Sequence, residues 1–277
     1  MSRILITGAT GFVGLPVAQK LAAAGHELTC VIRRGTEGRL EGLTTQIVFC
    51  DDVFEQSSDW WTKVLTGHDT VVHLAWYAEP GKYLTSERNL DCLTGTLSMA
   101  KGAVAAKLRR FVAVGTCFEY DLTVGDLSVD TPLAPKTPYA AAKVATFLML
   151  KSWFATADIE FLWARLFYLY GAREDSRRLV PYLHNQLSRG LVAELTSGNA
   201  VRDYLDVAAA ADLLVKDIMS ICIGPTNICS GKAVTIRALA EEIADQYGRR
   251  DLLKFGVRPD NLTDPPRVVG LRKECTT

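Results

Sequence analysis

The sequence predicts an α/β fold in which a doubly wound parallel sheet carries a small C-terminal lobe. Two observations predict this fold. Short apolar runs rich in β-branched residues alternate with helical patterns through the first 166 residues, and such alternation is typical of a parallel sheet covered by helices on both faces. After about Gly171 the pattern becomes irregular, with repeated Gly and Pro. We therefore expect one domain over residues 1–171 and a smaller, interleaved lobe over residues 172–277.

The predicted elements follow the apolar runs in order along the chain. The strands are Arg3–Thr7, Glu27–Ile32, Ile47–Cys50, Asp69–Leu74, Arg110–Val114 and Glu160–Leu166. After the first strand and its glycine cluster, helical spacing predicts further helices at Leu84–Ala106, Tyr139–Ala155, Ala208–Ile221 and Ile236–Tyr247. The proline-rich tail, with Pro259, Pro265 and Pro266, is expected to form a loop. Ligands of such sheets bind at the carboxyl ends of the strands, so residues just past each strand are the first site candidates.

The glycine cluster between the first strand and the first helix predicts a phosphate-binding loop. It reads Gly8-Ala9-Thr10-Gly11-Phe12-Val13-Gly14. Gly8 would allow a sharp turn, Gly11 a close approach of backbone to a pyrophosphate, and Gly14 close packing of helix on strand. The helix N-terminus adds free N–H groups and the positive end of a dipole. Because the spacing is G-x-x-G-x-x-G, a Gly-rich turn without a ligand is the alternative.

Two arginines follow the second strand, where NAD-binding sites usually carry an acidic residue that holds the ribose 2′-hydroxyl. A guanidinium binds a phosphate in a bidentate way, so Arg33 and Arg34 favour NADP(H) as the cofactor. The alternative is a solvated surface pair, because arginine is common on protein surfaces. After the third strand, Asp52 is the candidate to meet the adenine amino group.

The composition argues against several classes of protein. The formal net charge is +0, which gives no electrostatic reason to expect nucleic acid or an anionic membrane as a partner. No run approaches the ~18 apolar residues of a membrane span, and the chain enters its first strand without a visible signal peptide. The seven cysteines include no C-x-x-C pair and the four histidines lack ligand spacing. We therefore expect a cytoplasmic protein without a metal site.

A tyrosine and a lysine four residues apart predict acid–base chemistry. Tyr139 and Lys143 would share one face of a helix. A nearby ammonium favours the phenolate and lowers the pKa of the tyrosine, which suits a general acid or base at a carbonyl or an alcohol. Thr116, where the fifth strand ends, could bond the same substrate oxygen. An ordinary surface pair is the alternative for Tyr139 and Lys143 taken alone.

Together these residues resemble the extended short-chain dehydrogenase/reductase family, especially its NAD(P)-dependent nucleotide-sugar epimerases, dehydratases and reductases. The resemblance covers nearly the whole chain and implies a Rossmann-like sheet with a C-terminal substrate-binding lobe. The matching segments are Gly8-x-x-Gly11-x-x-Gly14, His73-Leu74-Ala75, Gly115-Thr116 followed by Tyr120, Pro138-Tyr139 through Lys143, Arg165 through Gly171, Arg202 through Val207, and Asn227-Ile228.

The resemblance also implies roles for individual residues. Thr116, Tyr139 and Lys143 look like the catalytic set, and Lys143 would also hold the nicotinamide ribose. The implied cofactor-binding residues are Gly8, Thr10, Gly11, Phe12, Val13, Gly14, Arg33, Arg34, Asp52, Val53, Leu74, Ala75, Trp76, Tyr139, Lys143 and Leu166. The implied substrate-binding residues are Cys117, Phe118, Tyr168, Val180 and Arg202. Arg202 would meet the nucleotide diphosphate, with a local ion pair to Asp203 as the alternative.

Departures from the family pattern narrow the expected function. Sugar 4,6-dehydratases of the family carry an Asp-Glu pair directly after the catalytic threonine. This chain has Cys117 and Phe118 there, so dehydration is not expected. Cys92 and Tyr168 stand where the family usually has asparagine, which leaves the sugar open. We expect an NADPH-dependent 4-ketoreductase of a nucleotide-linked 4-keto-6-deoxy sugar, acting in deoxysugar biosynthesis.

Two alternatives remain open. A nucleotide-sugar 4-epimerase would use the same Tyr139 and retain tightly bound NAD. A non-catalytic NADP-sensing module would bind the dinucleotide without turnover, and it would not need Thr116, Tyr139 and Lys143 together. The long helical stretches Leu84–Ala106 and Tyr139–Ala155 are similar to those that pair in dimers of the family, so a homodimer is expected.

Overall fold

The computed structural model describes residues 1–261 and 264–273 and is built around a parallel sheet of seven strands. The strands in chain order are β1 (Arg3–Thr7), β2 (Glu27–Ile32), β3 (Gln46–Phe49), β4 (Thr70–His73), β5 (Arg110–Thr116), β6 (Asp126–Leu127), β7 (Glu160–Leu166), β8 (Tyr168–Tyr170), β9 (Ala193–Glu194), β10 (Val201–Arg202), β11 (Tyr204–Asp206), β12 (Gly224–Ile228), β13 (Val234–Thr235), β14 (Leu253–Lys254) and β15 (Arg267–Gly270). The α-helices are α1 (Gly14–Ala23), α2 (Ser58–Leu65), α3 (Arg88–Ala105), α4 (Pro138–Thr156), α5 (Leu179–Ser188), α6 (Val207–Met219) and α7 (Ile236–Tyr247).

The central sheet has the strand order β12-β7-β5-β4-β1-β2-β3, and all its neighbouring strands pair in parallel. The strand order reverses at β1, since the chain continues from β1 to β2 and β3 on one side and returns to β4 on the other. Such a reversal opens a crevice at the carboxyl ends of the strands, where ligands bind. The predicted fold class is confirmed. Each of the six predicted strands begins and ends within two residues of the predicted positions.

Both faces of the sheet are buried, each under a different set of helices. Successive residues of a strand point to opposite faces. In β1, Ile4 and Ile6 pack in the cluster that contains α1 and α6, whereas Leu5 packs in the cluster that contains α2, α3 and α4. Strands buried on both faces read as continuous apolar runs, which explains why the sequence pattern located them.

Other elements differ from the sequence predictions. The helix expected at Leu84–Ala106 begins only at Arg88, and the helices α2 and α5 were not predicted. The tail expected to be a loop contains strand β15, which pairs with β10 and β6, so that prediction was wrong. Strand β15 is stabilised by pairing with segments that are distant along the chain. Such pairing produces no pattern in the local sequence from which the strand could be predicted.

The smaller lobe joins the sheet where strands end. Strand β8 follows β7 directly and pairs with β11, while β6, after β5, pairs with β15. Strand β12 then returns to the central sheet beside β7, and α6 packs on α1. The division into residues 1–171 and 172–277 stays a prediction. Within the described residues, no helix combines the length and the apolar character needed to cross a membrane.

Gly14 is expected to tolerate no side chain. A Cβ at this position would lie 2.0 Å from the carbonyl oxygen of Gly8, so Gly14→Ala must displace α1 from β1. We expect a loss of about 1–3 kcal/mol or more, the usual cost of overpacking, seen as a lower melting temperature. Gly38→Ala is the control, because a Cβ there would have no described atom within 4 Å. Equal melting temperatures for the two variants would contradict this account of the packing.

Candidate active site

The carboxyl end of β1 carries the predicted phosphate loop. Gly8 has a φ of +75°, which favours glycine, and the N–H of Gly11 donates to the carbonyl of Gly8 at 2.9 Å. A Cβ on Gly8 would lie 2.7 Å from the backbone nitrogen of Ala75, so the loop packs tightly on the segment after β4. In the part of the chain that the structure describes, no side chain caps the N-terminus of α1 at Val13. The loop therefore has the backbone-lined form that fits a phosphate.

Three arginines lie near this loop. Arg33 and Arg34 follow β2 and are exposed, and the guanidinium of Arg34 lies 4.6 Å from the centre of the Phe49 ring. Arg39, which no sequence motif marked, donates to the carbonyl of Thr10 at 3.3 Å. The predicted cofactor residues that line the strand ends nearby are half-buried; they are Thr10, Phe12, Val13, Leu74 and Leu166. Positive charge thus gathers beside the phosphate loop.

Asp52 is held by protein partners at the end of β3. Its carboxylate accepts from the backbone N–H of Phe54 at 2.9 Å and forms an ion pair with Arg88 at 2.5 Å. Val53 packs at the edge of the cluster on that side of the sheet. Because a carboxylate has about four acceptor sites, these bonds leave room for a further donor. The adenine contact of Asp52 stays a prediction.

His73 connects three elements beneath the site. Its Nδ1 lies 2.7 Å from the hydroxyl of Thr7, and its Nε2 lies 3.0 Å from the hydroxyl of Thr96. Burial lowers the pKa of His73 to about 3, and the charge of Lys143 adds to that effect. The ring is therefore neutral near pH 7. Ala75 donates its N–H to the Thr7 hydroxyl at 3.4 Å, so β1, β4 and α3 are fixed together.

Lys143 is fully buried at the end of β5. Its ammonium donates to the carbonyl of Val114 at 2.7 Å and lies 3.6 Å from the centre of the Trp76 ring. Burial lowers the pKa of Lys143 to about 7, and the carboxylate of Glu119 opposes this shift. Lys143 can therefore gain or lose a proton near neutral pH.

Tyr139 lies close to Thr116 and Tyr83. The ring of Tyr83 meets the ring of Tyr139 edge-on, with centroids 4.8 Å apart. Burial raises the pKa of Tyr139 above its ordinary value, Tyr83 adds to the increase, and the hydroxyl of Thr116 opposes it. The lowered pKa expected for Tyr139 is wrong for the structure, because burial outweighs the effects that favour the phenolate. Tyr139 is held as a neutral phenol, the form that can donate a proton.

A buried ion pair supports Thr116 from within the fold. Glu119 accepts from the backbone N–H of Thr116 at 2.8 Å, from the indole of Trp163 at 3.0 Å and from Nε of Arg165 at 2.6 Å. Neither Glu119 nor Arg165 is exposed, at 0% each. The hydroxyl of Thr116 accepts from the N–H of Phe118 at 3.3 Å, so the segment caps itself reciprocally. A carboxylate at this depth stays charged only when donors surround it.

The same network continues into the lobe. Arg165 donates to the hydroxyl of Tyr120 at 3.1 Å, and that hydroxyl donates to the side chain of Asn227 at 2.7 Å. The amide of Asn227 donates to the carbonyl of Leu127 at 2.9 Å. Strands β5, β7, β12 and β6 are therefore linked beneath the site. No sequence motif pointed to Glu119, because its partners lie up to 46 positions away along the chain.

The predicted substrate residues divide into two groups. The ring of Tyr168 lies 6.1 Å from that of Phe118, and the guanidinium of Arg202 lies 5.5 Å from the ring of Tyr168. Cys117 and Val180 instead pack inside apolar clusters, and burial raises the pKa of Cys117 to about 12. The structure brings Phe118, Tyr168 and Arg202 together, whereas the thiol of Cys117 is occupied by protein contacts. Their roles toward a substrate stay predictions.

Arg202 does not pair with its neighbour Asp203. The carboxylate of Asp203 accepts backbone N–H groups of Ser230, Gly231 and Gly270 at 2.7, 2.9 and 3.1 Å. Arg202 is buried, and its Nη2 lies 3.6 Å from Asp264. The alternative of a local pair between Arg202 and Asp203 was therefore wrong.

Arg178 is a second cation of the lobe that the sequence did not single out. It precedes α5, and its guanidinium lies 5.6 Å from the centre of the Tyr83 ring. Tyr83 in turn contacts Tyr139. A guanidinium from the lobe therefore reaches the neighbour of the candidate acid, and only the fold brings these residues together.

Comparisons with protein families, with individual proteins and with solved structures all find similarity to nucleotide-sugar enzymes. The model of the NAD dependent epimerase/dehydratase family matches residues 4–220. A dTDP-6-deoxy-L-talose 4-dehydrogenase (NAD(+)) of Aggregatibacter actinomycetemcomitans is 27% identical, over 97% of this chain and 99% of that protein. A UDP-glucose 4-epimerase of Mycolicibacterium smegmatis is also 27% identical, over 98% of this chain and 88% of that protein. The solved UDP-N-acetylglucosamine 4-epimerase of Methanobrevibacter ruminantium, in complex with UDP-N-acetylmuramic acid, shares the fold: its TM-score is 0.85 at 21% identity, covering 98% of this chain and 89% of that one.

Removing one member of the Glu119–Arg165 pair is expected to destabilise the protein strongly. Glu119→Gln leaves the charge of Arg165 buried without its partner, so the free energy of unfolding should fall by about 3–5 kcal/mol. Denaturant titration measures the change. The double variant Glu119→Gln/Arg165→Met removes both charges and should recover part of the loss. Asp126→Asn, which breaks an exposed pair with Arg267, is the control and should have little effect. A small effect of Glu119→Gln, equal to the control, would contradict this role.

Proposed function

The chain belongs to the NAD dependent epimerase/dehydratase family, and within that family we propose that it is an NADPH-dependent reductase of a nucleotide-linked 4-keto-6-deoxy sugar. The observation that carries the proposal is the neutral phenol of Tyr139, which lies near Thr116 and one helical turn from the buried Lys143. Reduction of a ketone needs a proton donor at the oxygen where negative charge develops. Tyr139 is in the protonation state that this step requires.

The proposed mechanism assigns the proton to this chain's own residues. When bound, the nicotinamide cofactor supplies the hydride for C4. Tyr139 donates its phenolic proton to the C4 oxygen, and Thr116 donates a hydrogen bond to the same oxygen. The ammonium of Lys143 favours the phenolate that remains on Tyr139 after the transfer. Because the pKa of Lys143 is about 7, part of the protein carries this ammonium at neutral pH.

The crevice fits a dinucleotide cofactor. The loop from Gly8 to Gly14 offers backbone N–H groups and the N-terminus of α1 to a pyrophosphate. Arg33 and Arg34 are exposed at the end of β2, where they can pair with the 2′-phosphate of NADP(H). The named NAD(+) dependence of the similar talose dehydrogenase makes NAD(H) the competing expectation.

The residues after Thr116 disfavour dehydration. Elimination of water needs an acid and a base at the sugar. Here Cys117 is a buried thiol with a pKa raised to about 12, Phe118 is apolar, and Glu119 is taken up by three protein donors. These side chains supply neither group, and their chemistry therefore favours oxidation or reduction of the sugar over dehydration.

Similarity supports the proposed substrate class. A dTDP-6-deoxy-L-talose 4-dehydrogenase oxidises a C4 hydroxyl of a 6-deoxy sugar, and this is the reverse of reducing a 4-keto group. Arg202, held beside Tyr168, and Arg178, beside Tyr83, are the candidates to bind the diphosphate.

A 4-epimerase with tightly bound NAD is the second candidate, and the similarity to a UDP-glucose 4-epimerase favours it. Its first step would remove a proton from the C4 hydroxyl, so Tyr139 would have to begin as the phenolate. The raised pKa of Tyr139 disfavours that form in the protein without its cofactor. We therefore place the epimerase second.

A homodimer belongs to the proposal. Helices α3 and α4 pack against each other and expose Leu90, Leu148 and Met149. Large apolar side chains that cluster on a protein surface are typical of protein–protein interfaces. These residues are therefore the candidates for the contact between two copies of the chain.

Arg33→Ala and Arg34→Ala are each expected to weaken NADPH binding by about tenfold or more and to leave NADH binding nearly unchanged, because a charge-assisted hydrogen bond contributes about 1.5–3 kcal/mol. Fluorescence titration with both cofactors measures the change. Arg39→Ala is the matched control: Arg39 contacts the loop backbone at Thr10 and should affect both cofactors alike. A wild-type preference for NADH, or equal losses of both cofactors in the Arg33 and Arg34 variants, would contradict the choice of NADP(H).

The purified protein is expected to consume NADPH when given a 4-keto-6-deoxy sugar linked to dTDP, GDP, CDP or UDP. Tyr139→Phe should lower kcat by about 10²–10⁴-fold, the usual contribution of a general acid, with cofactor affinity little changed. Tyr247→Phe, on the exposed end of α7, is the control and should keep full activity. Absence of NADPH consumption with all four nucleotides, or normal turnover by Tyr139→Phe, would count against the reductase. Retained NAD without turnover of added NADPH would favour the epimerase.

A further inference from the structure

A buried ammonium must find partners inside the protein or lose its proton. Lys143 is 2% exposed, and an ammonium has three N–H donors. The carbonyl of Val114 accepts one of them at 2.7 Å. The remaining stabilisation has to come from the side chains that surround Nζ.

The face of Trp76 is the second partner of this ammonium. Nζ of Lys143 lies 3.6 Å from the centre of the Trp76 ring, and 5.8 Å from that of Trp163. A cation is attracted to the face of an aromatic ring, most strongly for tryptophan and for a desolvated cation. With one N–H on a carbonyl and one side turned to the indole, a third donor remains for a ligand.

Asn89 fixes the orientation of Trp76. Its Oδ1 accepts from the indole N–H at 3.0 Å, and its Nδ2 donates to the carbonyls of Tyr83 at 2.7 Å and Ser86 at 2.8 Å. Asn89 is 1% exposed. Indole nitrogen is only a donor and the two carbonyls are only acceptors, so the amide can satisfy its partners in one orientation. The hydrogen bond at the indole nitrogen therefore fixes the orientation of the Trp76 ring plane.

The same amide orders the segment that contacts Tyr139. The carbonyl of Tyr83 is bonded to Asn89, and the Tyr83 ring meets the Tyr139 ring edge-on. The next residue, Leu84, accepts the backbone N–H of Tyr139 at 3.1 Å. The Trp76 ring also meets the Tyr139 ring edge-on, with centroids 6.5 Å apart. One buried amide thus connects the surroundings of both catalytic candidates.

From these contacts we propose that Trp76 and Asn89 are positioning residues of the active site: Asn89 holds the indole of Trp76, and the face of that indole holds the ammonium of Lys143. The proposal rests on the proposed function only in treating Lys143 as an active-site residue. It also gives a role to an unusual feature of the sequence, in which Cys92 stands where asparagine is usual and Asn89 lies one helical turn earlier.

Near neutral pH, the titration of Lys143 can be observed separately from that of the titratable groups around it. They are His73 on β4, Cys92 on α3, Glu119 with its partner Arg165, and Tyr139 on α4. Burial lowers the pKa of His73 to about 3 and raises the pKa of Cys92 and of Tyr139. None of these three changes its charge near pH 7. Glu119 lies in a buried ion pair with Arg165.

Competitive labelling with acetic anhydride tests the proposal in the absence of cofactor and sugar. Only the neutral amine reacts, so acetylation of each lysine against pH, read by peptide mass spectrometry, gives its titration midpoint. We expect Trp76→Leu to lower the midpoint of Lys143 by about one pH unit, because the charged form loses its aromatic face. Trp76→Phe keeps a ring face and should shift it less. Asn89→Leu releases the indole and should lower the midpoint by an intermediate amount.

Trp60→Leu is the matched control. Trp60 is half-buried on α2 and contacts Trp61 edge-on, so its loss should leave the midpoint of Lys143 unchanged. The exposed Lys101 and Lys136 are internal standards in every sample.

An unchanged midpoint in Trp76→Leu, or one raised toward the ordinary value for lysine, would overturn the proposal, because the indole would then act only by excluding water. If Trp76→Leu does not fold, Asn89→Leu decides by the same criterion: a lowered midpoint supports the proposal, and an unchanged or raised one overturns it. Because labelling requires no catalytic turnover, it can disprove the roles of Trp76 and Asn89 independently of whether the protein proves to be a reductase.

Discussion

The buried ion pair between Glu119 and Arg165 is the interaction on which the rest of the site depends. Both side chains are fully enclosed, and a charge at that depth is stable only while its partners stay in place. The carboxylate holds the N–H of Thr116, and the guanidinium reaches the Tyr120–Asn227 pair that leads to β12 and the lobe. The end of β5, which carries Thr116, is thereby fixed against β7 and against the lobe by one network of hydrogen bonds.

Above this network, burial sets the protonation of the candidate catalytic groups. Desolvation keeps Tyr139 a neutral phenol and brings the pKa of Lys143 to about 7. The carboxylate of Glu119 opposes the second shift, so the ion pair that fixes the strand also helps Lys143 to keep its proton. The face of Trp76 acts in the same direction. A proton donor and a titrating ammonium are thus prepared by the fold before any ligand binds, which suits reduction at a carbonyl better than removal of a proton from an alcohol.

Much of the fold was predictable because its signals are local. Central strands such as β1 and β7 are buried on both faces and therefore form continuous apolar runs, and the glycine loop and the Tyr139–Lys143 spacing are each contained within one turn or one helix. Glu119 could not be found in this way, since its partners are brought to it by strand pairing. The same reason explains the missed strand β15, which exists through pairing with β10 and β6. The direction of the pKa shift of Tyr139 was wrong because spacing along a helix does not reveal how deeply a hydroxyl is buried.

Transfer of an isotopic label from the cofactor to the sugar distinguishes reduction at C4 from epimerisation. The protein would be incubated with NADPH deuterated at the transferable position and with a dTDP-linked 4-keto-6-deoxy sugar, and the sugar product would be examined by mass spectrometry and NMR. A 4-ketoreductase should place one deuterium at C4 of the sugar for each NADPH consumed. Unchanged 4-keto sugar with no loss of NADPH, together with interconversion of the two C4 epimers when the protein is instead given a dTDP-linked 6-deoxy sugar with a C4 hydroxyl and no added cofactor, would contradict the proposed reduction.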